Sequence, residues 1–236
     1  MKWVNSFFYG AYLDIVAFFR EKIAVFFSLL FPILLFIVFT NIWGQNDEYI
    51  IFLLTGIICM MSISEGLFSV GPVVKDYFSS GMIKYLKFLP VDGSFPFLTF
   101  VCGRLIFFQL TVLLLALLCY FIYEINVFIF YQNIVVGSVL GFVIFSFIGL
   151  SIAFFHKKSS GLAFTNLLYF LLIFTNDLFY PISNNILLKK FNYYLPVDHV
   201  ANILRGQTSN FVILLVWLVL MFIFFRYLFY KVRYSR

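Results

Sequence analysis

The chain has 236 residues, of which 64% are hydrophobic and only 11% charged, with a mean hydropathy of +1.04. A typical globular chain is about a quarter charged and about half apolar, so this one carries more apolar surface than a compact core in water can hide. A soluble enzyme and a nucleic-acid module are excluded, and the net charge of +6 first asks which side of a bilayer the basic residues face.

In chain order, residues 2–20 mix Phe, Tyr and Trp with a polar step of four at Lys2, Ser6, Gly10 and Asp14. That spacing predicts a helix lying in the headgroup plane, aromatic side down, before the chain turns inward near Arg20–Lys22. A crossing needs about 20 apolar residues to cover roughly 30 Å of hydrocarbon, and six stretches qualify: 23–43, 49–70, 97–123, 134–155, 162–180 and 211–230. Between the second and third, residues 73–89 alternate Lys75, Asp76, Ser79, Ser80, Lys84 and Lys87 with apolar residues until Pro90 and Gly93. This predicts an amphipathic helix that either lies on anionic lipid or docks on a soluble partner. Residues 181–207 are too apolar for a free loop and are broken by Pro181 and Pro196, which predicts short helices partly re-entering the outer leaflet.

An even number of crossings puts both termini on one side. With the N-terminus in the cytoplasm, thirteen of the 16 Lys and Arg lie in cytoplasmic segments or span ends, leaving Lys189, Lys190 and Arg205 outside. The positive-inside bias therefore predicts cytoplasmic termini. The whole chain reads as one unit of fold class all-α integral membrane, with connections too short to hold a soluble catalytic domain.

The second span sets Thr55, Ser62, Glu65 and Ser69 at steps of seven, three and four, one helical face. An intramembrane carboxylate marks a functional site by default. Glu65, sixteen residues into its span, lies roughly 24 Å from the outer end at 1.5 Å per residue. The stripe is either the lining of a path or a packing seam between helices. Gly137-x-x-x-Gly141 in the fourth span suits close helix contact, here expected within the chain. Asp177, at the outer end of the fifth span, fits a solvated or capping role.

Classical chemistry is not expected. Cys59, Cys102 and Cys119 all sit in apolar runs with no CxxC pair, so neither a metal site nor a disulfide framework is indicated. His156 and His199 fall on opposite sides of the predicted bilayer, which leaves no His for an acid/base or nucleophile pair. The Gly66–Gly71 spacing of a phosphate loop is followed by Pro72-Val73, not by Lys-Ser/Thr. The expectation is a chain without catalytic residues, metal or cofactor of its own.

The order of elements resembles the type-2 ABC transporter permeases, the six-span membrane subunits of bacterial ABC exporters. The resemblance covers nearly the whole chain. It runs from Arg20 and Phe31-Pro32-Ile33-Leu34-Leu35-Phe36 to Phe52-Leu53-Leu54-Thr55-Gly56. It continues with Asp76-Tyr77-Phe78-Ser79-Ser80-Gly81-Met82-Ile83-Lys84, Leu89-Pro90-Val91, Asn166-Leu167 and Phe179-Tyr180-Pro181, and ends with Leu195-Pro196-Val197-Asp198-His199 and Leu204-Arg205. Two places depart from the family pattern: Thr175-Asn176-Asp177 stands at the Leu-Ser-Gly-like step, and Ser80 replaces the charged residue before the coupling-helix glycine.

The resemblance implies that 2–20 is the interfacial connecting helix and that 73–89 holds the coupling helix. Lys75, Asp76, Gly81, Lys84 and Lys87 would then contact a separate ATPase subunit. It further implies a pair of permeases, identical or closely related, exporting cargo across a bacterial inner membrane, with ATP and Mg bound by the ATPase partner. The aromatic-rich spans suit an amphipathic cargo such as a drug, peptide, lipid or glycoconjugate. The alternatives are a carrier driven by an ion gradient and a membrane anchor that binds a partner.

Overall fold

A chain surrounded by hydrocarbon must satisfy its backbone N–H and C=O groups within itself, and helices do this segment by segment. The computed structural model describes residues 2–43, 46–79, 95–155, 158–180 and 186–234, and among these there is no strand. The helices are α1 (Lys2–Arg20), α2 (Lys22–Trp43), α3 (residues 47–79), α4 (Phe95–Tyr123), α5 (Tyr131–Phe155), α6 (Lys158–Thr175), α7 (Ile186–Asn192), α8 (Pro196–Leu204) and α9 (Phe211–Tyr234). Five stretches are long and apolar enough to cross a membrane: Lys22–Trp43, Asp47–Asp76, Thr99–Tyr123, Val127–Phe155 and Phe211–Leu228. The chain thus has the architecture of a multi-pass membrane protein.

Two boundaries differ from the predicted ones. The second predicted span does not stop at Val70: its helix, α3, runs on through Gly71–Ser79, although Pro72 lies inside it. A proline lacks the N–H that the carbonyl four residues earlier expects. That carbonyl, on Phe68, falls within a wide π turn over Glu65–Val70, where i→i+5 bonding absorbs the missing donor. The same arrangement recurs in α2, with a π turn at Phe26–Leu30 ahead of Pro32. The fifth predicted span is shorter than expected, its apolar helix being Gly161–Thr175. Thr175 Oγ1 donates to the Leu171 carbonyl at 2.7 Å and Asn176 Nδ2 to that of Leu172 at 2.8 Å. The Asn176 side chain thereby takes the Leu172 carbonyl that its own N–H would use in a further helical turn.

α5 is the central helix, touching α3, α4, α6, α8 and α9. Its closest neighbour is α3, because glycines stand where the two backbones cross. A Cβ on Gly149 would lie 2.4 Å from the Gly66 carbonyl oxygen, and one on Gly71 would lie 2.4 Å from that of Gly149. Gly137 and Gly141 receive Leu204 and Ser62 in the same way, so the GxxxG motif packs within the chain. With no hydrophobic drive between helices in lipid, such close approach and interhelical hydrogen bonds supply the attraction. Gln109 Nε2 donates to Ser138 Oγ at 2.9 Å between α4 and α5, and Thr40 bonds Tyr123 between α2 and α4. α9 turns Phe211, Val212, Leu215 and Leu220 outward, a lipid-facing surface.

α1 lies along α4, with the Phe18 and Phe107 rings 4.4 Å apart and the Arg104 guanidinium 4.0 Å over Phe18. α7 and α8 form a cap beside α9. His199, 2% exposed, accepts from Asn210 N–H at Nδ1 and so donates from Nε2 to the Tyr193 carbonyl at 2.9 Å. Trp217 Nε1 donates to Tyr194 O at 2.8 Å. α8 ends in a Schellman cap: Gly206, at φ +69°, donates to Ile203 O and Gln207 to Asn202 O.

Candidate functional site: a groove between three helices

α2, α3 and α6 do not close on one another. They wall a groove of about 1050 Å³. Each helix contributes the face that its period dictates: Phe27, Phe31 and Leu35 from α2, Met61, Glu65 and Phe68 from α3, and Asn166, Tyr169 and Ile173 from α6. The groove runs from Arg104 and Val73 at one end to Trp43 and Tyr180 at the other. Its far end is fixed where Tyr49 OH donates to the Phe179 carbonyl at 2.8 Å and the Phe39 and Phe179 rings meet at 5.4 Å.

Glu65 lines this groove and is 6% exposed, and its Oε2 has no hydrogen-bond partner among the described residues. Asn176 also lines it at 4% exposed; its amide nitrogen is committed to Leu172 O and Thr175 Oγ1, leaving Oδ1 without a partner. Both residues thus line one space, and each carries a buried acceptor oxygen without a partner among the described residues.

The predicted polar stripe divides. Glu65 and Ser69 line the groove, whereas Thr55 and Ser62 do not. Ser62 Oγ donates to Ile58 O at 3.0 Å and packs on Gly141, the seam with α5. Thr55 is fully buried and donates to its own helix at Phe52 O. A strict α-helix advances about 100° per residue and would bring Ser69 back towards Ser62. The π turn advances less per residue and keeps Ser69 beside Glu65.

Thr55 belongs to a second cluster, the Arg205 latch. Arg205 Nε donates to Thr55 Oγ1 at 3.4 Å and Nη2 to the Asp177 carbonyl at 2.5 Å, and its guanidinium lies 4.0 Å over the Phe52 ring. Burial pulls the Arg205 pKa down, and the nearby Asp177 and Asp198 favour the charged form. Burial likewise pushes the Asp198 carboxyl up, partly offset by His199. This latch ties α3, the end of α6 and the α8 cap together.

Of the residues proposed to contact an ATPase, Lys75 is half-buried and Asp76 exposed at the end of α3. Gly81, Lys84 and Lys87 lie outside the described residues. Asn176 and Arg205 drew attention in the sequence only as parts of longer segments. The signal for Asn176 was a polar Thr-Asn-Asp step closing an apolar helix, and for Arg205 a single cation in an apolar external stretch. Arg104 and Trp43 carried no such signal.

No family model matches the chain, and a search of curated proteins gives no match either.

Proposed function

We propose that this chain is the membrane-spanning permease subunit of an ATP-driven exporter of the type-2 ABC kind. The observation that carries the reading is the continuity of α3: one helix holds Glu65 in the groove and, three turns on, Lys75 and Asp76 at its end. A push at that end reaches the groove wall through the π turn at Glu65–Val70 and Pro72, where a helix can bend. Nucleotide closure of an ATPase pair bound at 73–89 then shifts two permease copies between inward- and outward-facing states. Such a shift needs contacts that differ between the states, not chemistry in this chain. ATP and Mg belong to the partner subunit, and the cargo is amphipathic.

In this reading α6 is the sixth crossing. Its support is length and course: 18 residues reach about 27 Å at 1.5 Å per residue. It also leads from the end of α5, past Phe68 against Tyr169 at 5.3 Å, to Phe179 under Tyr49. Both termini then face the cytoplasm, α1 lies at the inner interface, and α7 and α8 sit in the outer leaflet.

The buried, unpartnered Glu65 oxygen also favours a second reading, a carrier driven by an ion gradient. A gentle detergent pull-down from native cells, with co-purifying chains identified by mass spectrometry, separates the two. A stoichiometric nucleotide-binding chain is expected. Its absence, together with transport driven by a pH gradient in vesicles of this chain alone, would replace the exporter reading with the carrier. Within the exporter, Lys84→Glu combined with Lys87→Glu releases the ATPase while the permease stays inserted. Normal coupling in that variant sinks the assignment of 73–89.

A further inference from the structure

The groove carries a chemical signature more specific than its apolar walls. Its two buried, unpartnered polar atoms, Glu65 Oε2 and Asn176 Oδ1, are both acceptors. They lie at different depths. Tyr169 meets Phe68 at the Glu65 level, and Asn176 stands seven residues further along, about 10 Å at 1.5 Å per residue. Between and around them stand ring faces, among them Phe170 and Phe174, stacked with centroids 6.1 Å apart. A buried acceptor without a partner is costly, and most so for a carboxylate. Aromatic faces attract cations, more strongly when desolvated.

Among the described residues, the charged groups lining the groove are Glu21, Glu65 and Arg104. Arg104 shows what the walls hold well, its guanidinium lying 4.0 Å over Phe18 and 5.4 Å from the Phe100 ring centre.

We propose that the groove binds an amphipathic organic cation, an ammonium group on a long alkyl or aromatic body. The ammonium N–H donates to the Glu65 carboxylate as that side chain turns into the groove, the body lies on Phe68, Phe170 and Phe174 towards Trp43, and a second donor on a larger ligand reaches the Asn176 amide. As a statement about cargo this rests on the exporter reading; as a statement about binding it rests on the groove alone. An ammonium amphipath has two sources, a free amine or a lipid with an ammonium headgroup such as phosphatidylethanolamine.

The test uses the full chain in phosphatidylglycerol nanodiscs, with 12-bromododecylammonium as probe and its alcohol analogue as the neutral control. Bromine near Trp43 quenches its fluorescence. The expected result is saturable quenching by the ammonium that Trp43→Phe largely removes. Glu65→Gln is expected to weaken the ammonium at least tenfold and to leave the alcohol within twofold. Should Glu65→Gln fail to fold, Phe174→Ala, at a side chain 74% exposed, weakens the same binding about fivefold. Equal binding of ammonium and alcohol overturns the proposal, as does ammonium affinity unmoved by both variants. Absence of saturable quenching also overturns it and leaves the groove to a second copy of the chain. Adding phosphatidylethanolamine assigns the source: competition that depends on Glu65 identifies the lipid headgroup, and no competition identifies a free amine. A co-purifying ATPase without ammonium binding defeats this proposal alone. Ammonium binding without an ATPase defeats only the exporter reading.

Discussion

The two sides of α3 solve opposite problems. Against α5 the helix is dry and shut, with Gly66 and Gly71 facing Gly149 so closely that a methyl on any of them meets backbone atoms. On the other side the same turns of helix hold Glu65, Phe68 and Ser69 on a groove of about 1050 Å³, with a carboxylate oxygen left unpaired. In lipid, helices adhere through close packing and internal hydrogen bonds, so a seam without side chains can hold a helix that is incompletely packed elsewhere. The difference teaches which side the fold depends on and which it can leave open.

Mutations sharpen that contrast. The largest effect is expected at the seam: Gly149→Val drives side-chain atoms into the Gly66 carbonyl. It should cost at least about 3 kcal/mol, read as loss of monodisperse protein after detergent extraction. Next is the latch. Arg205→Met removes a charged donor from Thr55 and the Asp177 carbonyl and a cation from the Phe52 face, a loss of about 2–3 kcal/mol. Unfolding in graded denaturing detergent measures it, and an unchanged midpoint would show that the α8 cap holds without the latch.

The groove side should behave in the reverse sense. Glu65→Leu removes an orphan acceptor and is expected to stabilise the chain by about 1 kcal/mol; a loss comparable with that of Gly149→Val would make Glu65 part of the scaffold. The smallest effect concerns the outer cap. Burial holds the Asp198 carboxyl above its ordinary range, with His199 pulling the other way. A raised folded-state pKa means that its contribution to stability is fully present below the unfolded pKa and is lost as the pH rises through the folded one. Asp198→Asn should therefore be slightly more stable than the parent at neutral pH, by less than about 1 kcal/mol after solvent screening. The gap should close on acidification. Thermal melts at pH 7 and pH 4 give the comparison.

Much of the fold was legible because bilayer thickness imposes a length on every crossing. The starts of α2, α4, α5 and α9 fall within three residues of those read from hydropathy. The ends of α3 and α6 were not legible in this way. Hydropathy registers a proline as a stop, but the π turn at Glu65–Val70 carries the helix past Pro72. It registers Leu178 and Phe179 as span, but the helix ends at Thr175, where the Asn176 side chain takes the Leu172 carbonyl. The candidate site was half legible. Glu65 stands out in any apolar run as a charge that has to be explained.

The sequence by itself determined that this chain lives in a membrane and that it does so as helices. These follow from composition and from the backbone's need for internal hydrogen bonds. Only the tertiary structure decided that Thr55 joins Arg205, that Ser62 packs on Gly141, and that Glu65 shares a groove with Asn176 from another helix. The physical reason is that a sequence gives the faces of one helix but not the helices packed on them: Thr55, Ser62 and Glu65 are parted by the neighbour each meets, and Ser69 by the local winding of α3. A helical-wheel projection assumes one angle per residue, and a single π turn rotates everything beyond it, so the face a residue shares is settled by how its helix is wound against its neighbours.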